Sequence, residues 1–206
     1  MNKTTIAVGA VTLVTAGLGL AQSSSADASG GRISFGLQRS PGIVAAGCLP
    51  NAGARVSVRH DGPVERMVVD AWGLPPDTEF DTFVIQVPNA PFGVSWYQGD
   101  LETNRGGRAH QEYVGRFNQE TFAIALNTAP APTVHSSPTA DATSNPAFGP
   151  VHTFHVGVWF NSPADAVKAG CPGTVTPFNG EHDAGTQAMS TRNFPAGQGP
   201  LGEIEG

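Results

Sequence analysis

Along most of the chain, apolar and polar side chains alternate with a period of two, the pattern of strands that bury one face. Ile33, Phe35 and Leu37 alternate with Ser34, Gly36 and Gln38, and Val56 and Val58 alternate with Arg55, Ser57 and Arg59. Met67, Val69 and Ala71 share one face of a strand expected over Val64–Trp72, and His60-Asp61-Gly62-Pro63 is the hairpin turn before it, since Asp-Gly suits a tight turn. The densest apolar run lies between Leu74 and Gly99. There Phe80, Thr82, Val84 and Gln86 face one side while Asp81, Phe83, Ile85 and Val87 face the other, so this strand is apolar on both faces and is expected to be central. Pro88 cannot donate to a ladder and ends it. Pro88-Asn89-Ala90-Pro91 is then a rigid corner before a further strand, Gly93–Leu101.

Asn104-Arg105-Gly106-Gly107 reads as a hairpin connection into a strand over Gln111–Phe117, and Phe122, Ile124 and Leu126 alternate within Thr121–Leu126. Val151–Phe160, V-H-T-F-H-V-G-V-W-F, is expected as a second central strand. Ser40–Ala54 and Gly73–Thr78 read as loop and turn, and Ala129–Pro150, rich in Pro, Ala, Ser and Thr, as a long loop. One helix is expected over 163–169: Ser162 caps it, Pro163 opens it, Asp165 takes the acidic place in the first turn and Gly170 stops it. Phe178-Asn179-Gly180-Glu181 is expected as a hairpin tip, and the Gly/Pro-rich tail from Phe194 as loosely held. About eight to nine strands with so little helix predict an all-β fold, an antiparallel β-sandwich of immunoglobulin-like or jelly-roll-like kind, or a barrel.

The first residues change the picture of where this domain works. Lys3, the apolar run Ile6–Ala21 and Ala26-Asp27-Ala28 have the form of a secretory signal peptide over 1–28, cleaved before Ser29. Residues 29–206 then form one domain of about 180 residues, enough for a sizeable core, and no second apolar run is long enough to span a membrane. An oxidising destination predicts that Cys48 and Cys171, the chain's two cysteines, form a disulfide joining the start of the domain to its end. The net charge of −6, with Lys168 the one lysine beyond the leader, lacks the clustered basic surface that nucleic acid requires.

Gly-Leu-Pro-Pro-Asp-Thr-Glu-Phe, Gly73–Phe80, resembles the turn into a central strand of many extracellular β-sandwich modules. Pro-Phe-Gly-Val-Ser-Trp-Tyr-Gln-Gly-Asp, Pro91–Asp100, is similar to a run in uncharacterised exported β-sandwich proteins of high-GC Gram-positive bacteria. That likeness covers most of the mature chain. It implies an exported β-domain and carries no activity.

Candidate chemistry is sparse. Asp100-Leu101-Glu102-Thr103-Asn104 places oxygen ligands at alternate positions, as calcium loops do, but Arg105 sits where such a loop needs glycine. With Tyr97 beside it, the group Tyr97, Asp100, Glu102 and Asn104 is the candidate ligand-binding patch, on a hairpin tip suited to an unknown protein or glycan partner. Asp77, Glu79 and Asp81 share a strand face and read either as a hard-cation site or as a solvated strand entry. Of the six histidines, His60, His110, His135, His152, His155 and His182, only His182, between Glu181 and Asp183, has acid/base flavour, and no nucleophile elbow accompanies it. His152 and His155, three apart on an expected strand, face opposite ways and cannot readily share a metal. Trp72, Trp96, Tyr97 and Trp159 serve either a stacking surface or the core. No cofactor loop is present. The balance favours an exported, non-catalytic binding protein; the alternatives are a secreted hydrolase using a carboxylate pair or His182, and a protease inhibitor.

Overall fold

The computed structural model describes residues 27–29, 31–117, 120–121, 151–177 and 183–204. In chain order the strands are β1 (Asp27–Ser29), β2 (Arg32–Arg39), β3 (Gly53–Asp61), β4 (Val64–Trp72), β5 (Glu79–Ile85), β6 (Ser95–Glu102), β7 (Ala109–Gly115), β8 (Glu120–Thr121), β9 (Val151–His152), β10 (His155–Phe160) and β11 (Gln187–Ser190). Two short helices, α1 (Pro41–Ala45) and α2 (Pro163–Lys168), and a 3-10 turn at Pro200–Glu203 complete the described elements. The antiparallel all-β architecture expected from the alternation is what the chain adopts. Its facing layers are the halves of one curled sheet, in the order β6-β5-β10-β11-β2-β3-β4-β7, with β1 paired to β2 and β8 to β9. β1 straddles the cleavage point expected after Ala28.

The curl brings the two end strands, β6 and β7, alongside each other, so the sheet is nearly a barrel. Ile33, Phe35, Val56, Val58, Met67, Val69, Phe80, Leu101, Val156, Val158 and Phe160 fill its interior. Tyr113 fastens the seam between β6 and β7: its hydroxyl lies 2.9 Å from the Asp100 carbonyl, to which it donates, and 2.8 Å from the Thr82 hydroxyl. Gly99, at φ +147°, leaves room for that ring, since a Cβ there would stand 2.9 Å from it. Glu65, fully buried at the inner end of β4, accepts from the Phe117 N–H and meets Arg116 at 3.4 Å, which anchors the chain leaving β7.

The central strands differ in part from expectation. The apolar run Val151–Phe160 is two strands, β9 and β10, with Thr153 and Phe154 between them, so His152 and His155 lie on different strands. β11, a strand the alternation did not point to, sits between β10 and β2 in mid-sheet. The expected loop Ser40–Ala54 contains α1, where the Ser40 hydroxyl accepts from the Ile43 N–H and Pro41 takes the first position, the same device that starts α2 at Ser162. The tail from Phe194, expected to be loose, is packed: Phe194, Leu201 and Ile204 are buried, and His155 donates through Nε2 to the Ala196 carbonyl at 3.2 Å. Cys48 and Cys171 are joined, across 123 positions of sequence and 5.4 Å between Cα atoms. No described helix is long and apolar enough to cross a membrane. The strand expected over Thr121–Leu126 is described only at its first residue, in β8, and the loop at 129–150 and the tip at 178–181 lie outside the described residues.

Candidate ligand-binding cleft

β5 and β10 are buried along both faces, as their doubly apolar sequences require. On the outside of the barrel they carry a second apolar cluster, Phe83, Ile85 and Trp159 with Ala184, against which Phe92 packs. The cover over this cluster includes the corner between β5 and β6. Val87 donates to the Phe92 carbonyl at 3.0 Å, Phe92 to the Asn89 carbonyl at 3.0 Å, and Gly93 to the Pro91 carbonyl at 2.7 Å. Ala90-Pro91 is cis, and Phe92 is held at φ +58°, a conformation that non-glycine residues rarely adopt and that the surrounding contacts must enforce. Edge-to-face packing of Phe92 on Trp159, 5.0 Å between centroids, is one such contact. Gly93, at φ +68°, could not carry a side chain without meeting Gln86, whose Oε1 accepts from the Val94 N–H at 3.1 Å.

Beside this corner opens a cleft of about 610 Å³. One wall is Asn89–Gly93; the others are the start of α1 at Ser40–Gly42, the segment Thr174–Pro177 that follows the disulfide, and Thr186 and Gln187 entering β11. Its surface is mainly apolar, from Pro41, Pro91, Phe92, Val175 and Pro177. Three of the hydroxyls in the walls are tied down. Ser40 donates to the Gln187 carbonyl, Thr176 to the Gly185 carbonyl at 2.9 Å and Thr186 to the Pro172 carbonyl, while the Gln187 amide donates to the Pro88 carbonyl at 3.3 Å. Asn89 Oδ1 differs: it is a buried acceptor with no donor.

The residues singled out from sequence lie elsewhere, along the seam. A bulge in β6, where the pairing with β5 shifts between Thr82 and Phe83, puts Tyr97 and Asp100 on the same outer face, and the Tyr97 hydroxyl donates to Asp100 Oδ1. Burial, with the neighbouring Asp100 and Asp81 charges, holds the Tyr97 phenol well above its ordinary range. Glu102 follows on that face, opposite Glu79, as Asp100 lies opposite Asp81. Asn104 is engaged in its own turn: Oδ1 accepts from the N–H groups of Gly106 at 2.8 Å and Arg108 at 3.2 Å. The four are therefore partly assembled, Tyr97 with Asp100, while Asn104 serves the hairpin.

Across the seam, His110, Glu112 and Tyr113 face Asp100 and Glu102 in a polar groove. His110 pairs with Asp70 at 2.6 Å and Glu112 with Arg66, which also binds Asp61. No group of three or more metal-ligating side chains is gathered among the described residues. His135, Glu181 and His182 lie outside the described residues. Trp72, Trp96, Tyr97 and Trp159 do not make one stacking surface. Trp159 is fully buried, Tyr97 pairs with Phe83 on the outer face, Trp96 pairs with Val84 on the inner face, and Trp72 ends β4 against Gly53.

Sequence reasoning identified the rigid corner but not the cleft it walls. Pro88 and Pro91 marked the stiffness; nothing marked Asn89, Val175 and Gln187 as neighbours, because four separate segments converge there. Comparison with protein-family models, with curated proteins and with solved structures gives no match to this chain.

Proposed function

We propose that this is an exported, non-catalytic binding protein that takes its partner or envelope component into the cleft between the Asn89–Gly93 corner and Thr174–Pro177. One observation carries the reading: among the described residues lining this mainly apolar cleft, not one has an ionisable side chain. Proton transfer and nucleophilic attack both need a titratable or activated group within hydrogen-bond reach, whereas a preformed apolar cavity with a few fixed amide and hydroxyl groups is the ordinary form of a binding site. Walls fixed by tight turns lose little freedom on binding, which favours affinity. Export is supported by the leader-like N-terminus and agrees with the disulfide.

The seam groove, which gathers Asp100, Glu102 and Glu112, is what supports a hydrolase as the second reading. A single set of measurements separates the two. Purified protein is screened for binding to soluble envelope glycans and peptides and for turnover of polymer substrates, alongside Val175→Trp, which fills the cleft, and the pair Asp100→Asn and Glu102→Gln. Binding without turnover, lost in Val175→Trp and kept in the carboxamide variants, is expected. Turnover that survives Val175→Trp and collapses in the carboxamide variants would move the function to the seam.

A further inference from the structure

We infer that the seam between β6 and β7 is a second docking site, which takes an extended segment of a partner protein, basic at alternate positions, as an added strand on β6. It shares no lining residue with the cleft and does not depend on it. The edge is free. β6 pairs with β5 and β7 with β4, and no backbone hydrogen bond joins β6 to β7. Two bonds fix the backbone directions in β6: the Gln86 N–H donates to the Val94 carbonyl at 2.9 Å, and the Thr103 N–H to the Thr78 carbonyl at 3.0 Å. Alternation from these two points, with Gln98 as the extra residue of the bulge, turns the backbone groups of Ser95, Tyr97, Asp100 and Glu102 toward the seam. The bond from the Tyr113 hydroxyl to the Asp100 carbonyl, at 2.9 Å, agrees with that direction. The four N–H groups find no acceptor among the described residues. Such a row is a template for a further strand.

The seam is also open. A groove of about 680 Å³ runs between Gln98–Glu102 and His110–Val114. Solvent reaches inner-face side chains of both end strands: Trp96, opposite buried Val84, is 51% exposed, and Gln111, opposite buried Val69, is exposed. Tyr113 points inward with its partner Met67, so its ring is the floor of the groove. Charge then selects the occupant. Asp100 and Glu102, two apart on the outer face, lie directly opposite Asp81 and Glu79, an arrangement of like charges that is unfavourable by itself. Across the groove Glu112 is held by Arg66 and His110 by Asp70, while no ion pair forms to Asp100 or Glu102 among the described residues. A strand laid on this edge sets alternate side chains beside those two carboxylates, so lysine or arginine at every second position complements them. The residues between face inward over Tyr113, where apolar side chains fit.

The test uses the full mature domain and three heptapeptide probes with blocked ends. One is Lys-Val-Lys-Val-Lys-Val-Lys, one has Glu in place of Lys, and one is the lysine peptide N-methylated at its lysines. The last keeps every side chain and charge but loses the N–H donors that would face β6. The lysine peptide is expected to bind and to raise hydrogen-exchange protection at the amides of Tyr97, Asp100 and Glu102. It should bind at least about tenfold tighter than either of the other two. Asp100→Asn with Glu102→Gln should cut the preference over the glutamate peptide to less than about threefold and leave the preference over the methylated one. Equal binding of the methylated and unmethylated lysine peptides to the native protein would mean contact by charge alone and overturns the inference, whether or not the double variant folds. Equal binding of the glutamate peptide overturns it, as does new protection at cleft amides such as Phe92 and Val175 in place of the seam. If no probe binds at millimolar concentration the inference falls, and Asp100 and Glu102 are charges that keep the edge from pairing.

Discussion

The two walls of the barrel are built by different rules. On the β2-β3-β4-β7 side, alternation is nearly strict: Val56, Val58, Met67 and Val69 point in, while Arg55, Arg59, Arg66, Asp70 and Glu112 point out to water, where Arg66 pairs with Glu112. On the β6-β5-β10-β11 side, β5, β10 and β11 are buried on both faces, and Phe83, Ile85 and Trp159 on the outside require a second cover. A sheet that meets water on one face needs no further chain. One that is apolar on both must recruit chain from elsewhere, and here the recruited corner at Asn89–Gly93 forms a wall of the candidate cleft. The concavity follows from covering a doubly apolar strand pair.

The sharpest way to break this contrast is to remove matched outward residues from the two walls. Trp159→Ala should cost about 3–5 kcal/mol, because it empties the outer cluster under Phe92. Val68→Ala, also outward but on the single-layer wall, should cost less than about 1 kcal/mol. Urea denaturation of both variants decides the matter: similar losses would mean that the outer cover contributes nothing particular. Next in size is the bridge between the walls. Cys48 precedes β3 on one side and Cys171 follows α2 and β10 on the other, so the Cys48→Ala, Cys171→Ala double variant should lose about 2–5 kcal/mol. An unchanged denaturation midpoint after reduction of the native protein would show that the walls hold together without it.

The same contrast explains what could be read in the residues. β2, β3, β4 and β7 were legible because a wall wet on one side writes its burial as alternation. β5 was legible as a central strand from its two apolar faces. β11 was not: Gln187-Ala188-Met189-Ser190 is four residues, all buried, and its place between β10 and β2 depends on pairings far away in sequence. α1 carries the same Ser-Pro start as α2, yet Ile43 is its one buried anchor, too little periodicity to mark a helix. The tail misled because Gly and Pro dominate it, while Leu201 and Ile204 find their pockets through shape: Gly199 and Gly202 approach Phe154 closely, and the Leu201 N–H donates to the Phe154 carbonyl at 3.1 Å. The cleft was legible only in its stiff corner, since the remaining walls converge through tertiary structure alone.

The seam where the two walls meet gives the third measure. Tyr113→Phe removes the hydroxyl that joins the Asp100 carbonyl on β6 and leaves the buried Thr82 hydroxyl without it, at an expected cost of about 1–3 kcal/mol. Burial first, then the nearby Asp100 and Asp81 charges, hold the Tyr113 phenol above its ordinary value of 10.0 against the opposing Thr82 hydrogen bond. The unfolded chain therefore releases this proton first, so native stability should fall as pH rises through about 10, and part of that fall should vanish in Tyr113→Phe. The same alkaline slope in both proteins would place the titration elsewhere, for instance at Tyr97.

The smallest expected effect tests whether the tail belongs to the doubly covered wall. His155, at the outer face of β10, donates through Nε2 to the Ala196 carbonyl, which leaves Nδ1 as the acceptor for the Thr191 hydroxyl at 2.8 Å. Both bonds suit the neutral ring, and burial is the main cause holding the His155 pKa below 6.5 against its backbone contacts. As pH falls below about 6.5 the unfolded state takes up the proton before the native state does, so stability is present above that pH and declines toward the depressed native value. His152 lines the same small cavity, so a decline in the native protein alone does not identify the group. His155→Gln, which retains a side-chain N–H donor, should flatten the decline between pH 6.5 and 5, and hydrogen exchange should then show the amides of Leu201 and Ile204 equally protected at both pH values. If those amides lose protection on acidification in the variant as much as in the native protein, His155 is not what holds the tail to β10.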